Sequence, residues 1–313
     1  MRESAIWVFL RAILYEWIGA LHDLLKALCA WFKRWMTGQP RPTHPGCVWI
    51  DDPAFVRPDP LIYSQQYLTA QGLAVTWDNP DIQLFQNGSP VSLSGLSPGT
   101  TYEVRARIWN HSAEAPVIDM PVHLSFLDFG VGTHSNPVAS TKIDVGVLGS
   151  AEQPAFASWS WTTPTTPGHY CLQVLLDPAD DLNPANNLGQ ENTDVVAAHS
   201  PAEFKFTLRN DTRQAQRYHF EVDAYQIPEL PSCAQSRNKD PLGLHRRGRH
   251  PVPAGFAVNI NPATPTLNPD ESTTILVSIE PPPGFIGRQP INVNAFHANG
   301  FAGGVTLTCV KEP

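Results

Sequence analysis

Six oxygen-bearing side chains crowd one short loop and are the chain's most evident candidates for chemistry. They are Asp177, Asp180, Asp181, Asn183, Asn186 and Asn187. Hard oxygen ligands at close spacing suit Ca²⁺, but the run lacks the spacing and the sixth-position glycine of an EF-hand. Asx residues also close turns by bonding their own backbone. We expect a turn and no metal, with calcium at the three aspartates as the less favoured alternative.

A basic run at residues 245–250 is the second candidate. Its arginines, Arg246, Arg247 and Arg249, suit a phosphate, a lipid headgroup or an acidic partner. No aromatic residue is interleaved, which weakens a nucleic-acid interpretation, and the two histidines lack a third metal ligand at useful spacing. A solvated loop is the preferred interpretation. Contact with anionic lipid or an acidic partner is the functional alternative.

The stretch from Gly95 to Gly99 matches the G-x-S-x-G pattern of a hydrolase nucleophile elbow. An elbow needs a strand before the serine and a helix after it. Here Pro98 follows Ser97, and the alternation of a strand begins at residue 101, so we predict a hairpin turn. No Ser/His/Asp set, acid pair or phosphate-binding loop stands out elsewhere. We therefore predict a protein that is not an enzyme and binds no cofactor.

Composition and charge narrow the class of protein. The 313 residues include 31 prolines and 21 glycines, with 42% hydrophobic residues, which is typical of a turn-rich β protein rather than a disordered one. The net charge is −8, and residues 1–36 hold five basic and three acidic side chains, so the remainder is at −10. An acidic body argues against nucleic acid as a partner. The five cysteines form no CxxC pair, and their number leaves the disulfide state and the compartment open.

Residues 3–36 have the pattern of an amphipathic helix. At 100° per residue the charged side chains fall in an arc of roughly 140° and apolar side chains fill the other half. Such an apolar face needs a partner, either a membrane or a protein. The predicted contact residues are Trp7, Leu10, Leu14, Trp17, Leu21, Leu24, Leu28, Trp31, Phe32 and Trp35. Lys33 and Arg34 would favour anionic lipid.

The positions of the charged residues within 3–36 indicate how this segment would attach to a membrane. Arg11, Glu16, Asp23 and Lys26 would lie at hydrocarbon depth in a spanning helix, at roughly 2.5–3.5 kcal/mol each. A position in the membrane interface avoids that cost. The segment is also a poor secretory signal, because its first apolar run is short and no cleavage site follows. Packing on a partner protein or on copies of itself is the main alternative.

Further along the chain the pattern predicts a spacer and then strands. Residues 37–74 form a proline-rich tether with a short helix within 61–73. Period-two alternation predicts strands at 101–109, 122–126, 143–147, 155–161 and 170–176, then at 204–208, 218–224, 256–260, 274–279, 291–296 and 305–310. Turn signals include Asn87-Gly88 and Asn299-Gly300. Trp109, Trp159, Trp161 and Tyr170 fall on strands and are expected in the core.

Two motifs give the region 75–198 a family resemblance. Trp77-Asp78-Asn79-Pro80-Asp81 precedes its first strand, and Asp181-Leu182-Asn183-Pro184-Ala185-Asn186-Asn187 closes it, with Trp159, Trp161 and Tyr170-Cys171 between them. In these features it resembles the CARDB family of bacterial immunoglobulin-like domains. The resemblance implies a β-sandwich. Residues 199–313 resemble bacterial immunoglobulin-like domains more weakly. Cys171 has no evident partner cysteine in an earlier strand of that domain.

Together these observations predict a mainly β protein of two tandem antiparallel immunoglobulin-like sandwiches behind an N-terminal amphipathic helix. The expected function is a non-enzymatic structural or interaction protein, associated with a membrane surface or larger assembly, whose sheet edges contact protein partners or further copies. The alternatives are an accessory subunit whose helix packs on partner helices of a membrane complex, and a carbohydrate- or matrix-binding module.

Overall fold

The structure is a computed structural model that describes residues 57–166, 168–195, 203–228 and 241–311. The amphipathic helix expected at residues 3–36 lies outside the described residues, as does the spacer up to residue 56. The described part is mainly β, and its strands form several sheets in which antiparallel pairing prevails. No helix in the part of the chain that the structure describes is long and apolar enough to cross a membrane.

Eleven strands and one α-helix precede residue 196. In chain order they are β1 Pro60–Leu61, α1 Gln65–Ala70, β2 Ile82–Gln86, β3 Ser89–Pro90, β4 Ser94–Leu96, β5 Thr101–Asn110, β6 Val117–Asp128, β7 Gly130–Val131, β8 Ser135–Val145, β9 Ala155–Thr162, β10 Gly168–Leu176 and β11 Leu188–Val195. A 3-10 turn, Pro184–Asn186, precedes β11. The short helix expected within 61–73 is confirmed as α1, which begins at the N-cap Ser64.

Eight strands follow. They are β12 Glu203–Arg209, β13 Gln216–Arg217, β14 His219–Asp223, β15 Ala257–Asn261, β16 Thr266–Leu267, β17 Ser272–Glu280, β18 Gly287–His297 and β19 Gly300–Lys311. A 3-10 turn, Pro241–Leu244, lies between β14 and β15.

The first two sheets enclose one core. In sheet 1, β5 pairs with β9, β2 and β1, and β3 extends β2; sheet 2 runs β4-β11-β10-β6-β8. On β5 the side chains of Val104, Ala106 and Ile108 are fully buried, whereas the intervening residues are partly exposed. This alternation is what a strand with one buried face requires. Trp159 and Trp161 lie in the same core, as expected.

The remaining sheets enclose a second core. Sheet 3 runs β15-β17-β12-β7 and sheet 4 runs β14-β18-β19, while β13 and β16 form a two-stranded ladder. Sheets 3 and 4 contribute Ile275, Val277, Ile291 and Val293, among others, to a common cluster. One strand of sheet 3 comes from far earlier in the chain. β7 pairs in parallel with β12, with Gly130 opposite Thr207.

Most of the predicted strands are confirmed, and so are the two turn signals. Asn87 and Gly88 have φ values of 51° and 81°, the left-handed pair that a tight hairpin between β2 and β3 requires. Gly300 has a φ of 116° in the hairpin of β18 and β19. Other details differ from the expectation. The strand expected at 143–147 is only the end of the long β8, and several strands, among them β2, β4 and β11, were not expected at all.

Candidate functional site

The basic run is docked on the protein rather than extended into solvent. The Arg247 guanidinium makes two hydrogen bonds to the Glu221 carboxylate, at 2.8 and 2.5 Å, and lies 4.2 Å above the ring centre of Phe296. The backbone of Arg246 pairs with that of Leu73 in a single antiparallel β-bridge. Of the predicted contact arginines, Arg247 therefore has its charge balanced by Glu221, and Arg246 remains exposed at the surface.

The histidines that flank this run pack on Tyr225. His245 Nδ1 lies 2.7 Å from the Tyr225 hydroxyl, and the ring of His250 stands 4.8 Å from the tyrosine ring at 63°. Burial and the nearby His250 lower the pKa of His245. This favours the neutral imidazole, so His245 adds no positive charge at neutral pH.

The acidic loop is organised by ion pairs and turns. Asp180 accepts hydrogen bonds from Arg57 at 2.9 and 2.5 Å. Asp181 accepts from the backbone N–H of Asn183 at 2.9 Å and from Asn187 Nδ2 at 2.7 Å. Among the described residues, no group of three or more His, Cys, Asp or Glu side chains is arranged to hold a metal ion.

The G-x-S-x-G stretch is a turn between strands, but it is not the expected hairpin, because β4 and β5 belong to different sheets. β4 ends at Leu96 and β5 begins at Thr101, so no helix follows the serine. The Ser97 backbone is held on both sides, because its N–H donates to the Tyr102 hydroxyl at 3.0 Å and its carbonyl accepts from Thr163 Oγ1 at 2.7 Å. Neither contact activates the Ser97 hydroxyl.

A Ser-His-Asp cluster that the sequence did not reveal lies on the outer face of sheet 2. Ser140 Oγ is 2.7 Å from His123 Nδ1, and His123 Nε2 is 3.6 Å from Asp177 Oδ2. His123 and Ser140 border a groove of about 320 Å³, whereas Asp177 does not line it. They meet because strand register places His123 opposite Ser140, and no local sequence signal indicates that pairing.

This cluster lacks the surroundings that acyl transfer requires. Catalysis by such a set depends on N–H donors preorganised for the oxyanion. β6 is paired on both sides, by β10 and β8, so its backbone N–H groups are engaged in the ladders. The carboxylate of Asp177 is also largely exposed, at 68%. The arrangement is that of a hydrogen-bonded cross-strand group on an exposed sheet face.

The motif at residues 77–81 forms a polar seam between the first and second cores, in which Trp77, Asn79 and Asp81 are buried and Asp78 is exposed. On one side Asp81 accepts hydrogen bonds from Tyr63 N and from Arg107 Nε, both at 2.9 Å. Trp109 Nε1 is a third, longer donor at 3.4 Å. Burial raises the pKa of Asp81 to about 7, and the Arg107 guanidinium opposes that rise.

Glu191 is a second buried carboxyl in the seam. It lies on β11 opposite Leu172, a residue of the first core, and is fully buried. Its Oε2 accepts from the backbone N–H of Asn79, whereas its Oε1 has no hydrogen-bond partner. Burial, together with the charge of Asp78, raises the pKa of Glu191 well above its ordinary value. The neutral acid is therefore the favoured form.

On its other side the seam is bonded to sheet 4. Trp77 N donates to Thr306 Oγ1 at 2.8 Å, and Trp77 Nε1 donates to Asn294 Oδ1 at 3.2 Å. Thr306 Oγ1 donates in turn to Asn292 Oδ1 at 2.7 Å, and Asn292 Nδ2 to Asp223 Oδ1 at 2.7 Å. The motif that carries the family resemblance thus hydrogen-bonds to both halves of the described body.

Beside the seam, β11 and β19 border a crevice with a cavity volume of about 150 Å³. We call it the β11–β19 crevice. Its lining combines apolar residues, among them Phe129 and Phe204, with polar ones. Its lining residues are Asp78, Leu93, Phe129, His169, Asn192, Thr193, Phe204, Arg288, Thr306, Leu307, Thr308 and Val310. Sequence reasoning missed it, because these residues come from eight separate parts of the chain.

Comparisons with known proteins give little further guidance. No family model matches the chain, and no curated protein matches it. Among solved structures, it is similar at 12% identity to Escherichia coli alpha-2-macroglobulin activated by porcine elastase, over 74% of this chain and 22% of that chain, with a TM-score of 0.22. The native conformation of E. coli alpha-2-macroglobulin matches with the same identity, coverage of this chain and TM-score, over 17% of its own length. This chain spans less than a quarter of those proteins, and so low a TM-score carries no argument.

Proposed function

We propose that this chain is a non-enzymatic structural and interaction protein, held at a membrane surface through residues 3–36. The observation that carries the proposal is the division of those residues into a broad apolar arc and a narrower charged arc. Trp17 and Trp31 are suited to the headgroup boundary, and Lys33 and Arg34 to anionic lipid. The proposed location is membrane-associated, with no preference for either side of the membrane.

The described β body would then make the protein contacts. Among the described residues β15 has a ladder partner on one side only, β17, so its other edge is available to an added strand. Leu276 lies on β17 opposite Asn261 of that edge strand and is 42% exposed. Ile286 is 61% exposed in the loop before β18. These features suit an extended segment of a partner protein or of another copy.

We further infer that the two sheet pairs are tandem immunoglobulin-like sandwiches, the first of them CARDB-like. Two facts support this inference. Each pair of sheets encloses its own apolar cluster. The closing Asn186 and Asn187 are both buried. Under this interpretation the domains separate the membrane anchor from the partner-binding edge.

Membrane attachment is tested by flotation of the full-length chain with vesicles that contain about one-quarter phosphatidylglycerol. We expect the chain to float, and the triple variant Leu21→Glu, Leu24→Glu, Leu28→Glu to lose at least about tenfold of the bound fraction, because charges on the apolar arc oppose burial. Leu182→Glu is the matched control, since Leu182 is 47% exposed on the β body. It should float as the unmodified chain does.

Two results would contradict membrane attachment. The triple variant could float as well as the control, which would place the lipid contact elsewhere. Alternatively the unmodified chain could stay with the aqueous fraction and co-purify with a membrane protein complex after mild detergent extraction. That second result would favour the accessory-subunit function, in which the helix packs on partner helices.

A further inference from the structure

The β11–β19 crevice holds two opposite charges that do not meet. Asp78 projects from the seam, and Arg288 lies on β18 opposite Val310. Both side chains line the crevice, and in the described part of the chain neither has an ion-pair partner, although their charges act on one another. Opposite charges held apart across a cavity are suited to a guest that carries both signs.

The crevice also contains a polar group without a partner. The Asn192 side-chain nitrogen is shielded from solvent and has no hydrogen-bond partner among the described residues. A buried donor left unpaired destabilises a protein by about 1–3 kcal/mol. Because this nitrogen is closed to a water-sized probe, an acceptor atom on a bound molecule would satisfy it only after the Asn192 side chain turned toward the crevice. Asn192 lines the same crevice as the two charges.

The other lining residues favour a bound molecule that carries an apolar group. Leu93, Phe129, Phe204 and Leu307 line the crevice, and Val310 at its mouth is 53% exposed. A volume of about 150 Å³ is that of a cavity known to hold a benzene-sized molecule, so the guest has on the order of six to ten non-hydrogen atoms.

We propose that the β11–β19 crevice binds a small apolar α-amino acid. Its ammonium group would face the Asp78 carboxylate, its carboxylate would face the Arg288 guanidinium, and its side chain would contact the apolar wall. This binding site is independent of membrane attachment through residues 3–36. It lies where two halves of the body meet, a common position for small-molecule sites.

Calorimetric titration of the full-length chain with three probes of similar shape tests the charge pattern. L-leucine carries both charges, 4-methylpentanoate lacks the ammonium, and 3-methylbutylamine lacks the carboxylate. We expect L-leucine to bind at least about tenfold more tightly than either analogue, because only it engages both charges. No heat from L-leucine up to about 10 mM would overturn the proposal, and so would equal affinity for all three probes.

Two substitutions assign the two ends of the guest. Asp78→Asn should weaken L-leucine at least about tenfold while leaving 4-methylpentanoate unchanged, and Arg288→Gln should weaken L-leucine while leaving 3-methylbutylamine unchanged. Arg213→Gln is the control, since Arg213 is exposed and does not line the crevice. Both lining charges are at the surface, so the thermal melting curves should show intact folding. Unaltered L-leucine binding in both variants would overturn the proposal.

Discussion

Replacement of Gly130 by alanine is expected to lower the free energy of unfolding by about 3 kcal/mol or more. Gly130 has a φ of 153°, and a Cβ added there would overlap the backbone carbonyl of Thr207 on β12. That carbonyl belongs to the strand with which β7 pairs, so it cannot move aside without breaking the ladder. Overlap with backbone is among the few mechanisms that give so large an effect from a single methyl group.

Gly287→Ala is the matched control for this prediction. Gly287 also has a positive φ, 123°, but a Cβ there would meet nothing within 4 Å. Its substitution should therefore show backbone strain alone, about 1–2 kcal/mol. Urea unfolding followed by tryptophan fluorescence measures both variants. Equal losses would mean that the approach of β7 to β12 contributes nothing beyond strain.

The second large effect is a difference in stability between two variants, in which the buried carboxyls of the seam, Asp81 and Glu191, are each replaced by an amide. At Asp81 the carboxylate accepts hydrogen bonds from three donors: Tyr63 N, Arg107 Nε and Trp109 Nε1. Asp81→Asn would turn an amide nitrogen toward those donors and remove the charge that balances Arg107. We expect a loss of about 2–4 kcal/mol in the free energy of unfolding at pH 8.

At Glu191 the same isosteric change should have the opposite effect. Burial favours the neutral acid there, and its Oε1 has no partner to lose. Because the pKa is raised in the folded state, the stability this group contributes is fully present below its unfolded pKa and is lost as pH rises through the folded pKa. Glu191→Gln abolishes that loss. We expect little change at pH 4 and a gain of about 1–3 kcal/mol at pH 8.

Chemical denaturation of both variants at pH 4 and pH 8 provides the comparison. Thr193→Val serves as a control on the same strand, since Thr193 is buried without a titratable group and its loss of stability should not depend on pH. A destabilised Glu191→Gln at pH 8 would mean that Glu191 is ionised and bonded in the folded state. A neutral Asp81→Asn would mean that Arg107 does not depend on its carboxylate.

Sequence pattern was sufficient where a strand has one buried and one exposed face. β5 alternates Tyr102, Val104, Ala106 and Ile108 with polar residues, so its existence and its orientation were both predictable. β11 offers no such pattern. Gly189, Glu191 and Thr193 occupy its inward positions, because the seam rather than an apolar layer covers them. Only tertiary contact makes that stretch a strand.

For the candidate sites, too, the sequence predicts local turns but not contacts between distant segments. Local turns such as Asn87-Gly88 depend on neighbouring residues and were predictable. The Ser140–His123 contact depends on register between strands, and the β11–β19 crevice depends on how distant segments pack. The buried roles of Asp81 and Glu191 follow from the same packing, which no spacing in the sequence encodes.

The pairing of β7 with β12 has a consequence for synthesis of the chain. The ribosome delivers Gly130–Val131 well before the strand that pairs with it, Glu203–Arg209. Until that later strand emerges, Phe129 and Val131 lack the cluster in which they are finally buried. Contacts between parts so distant in sequence form slowly, and exposed strand edges invite association in the meantime. We therefore expect the nascent chain to depend on chaperones during this interval more than a chain of independent sandwiches would.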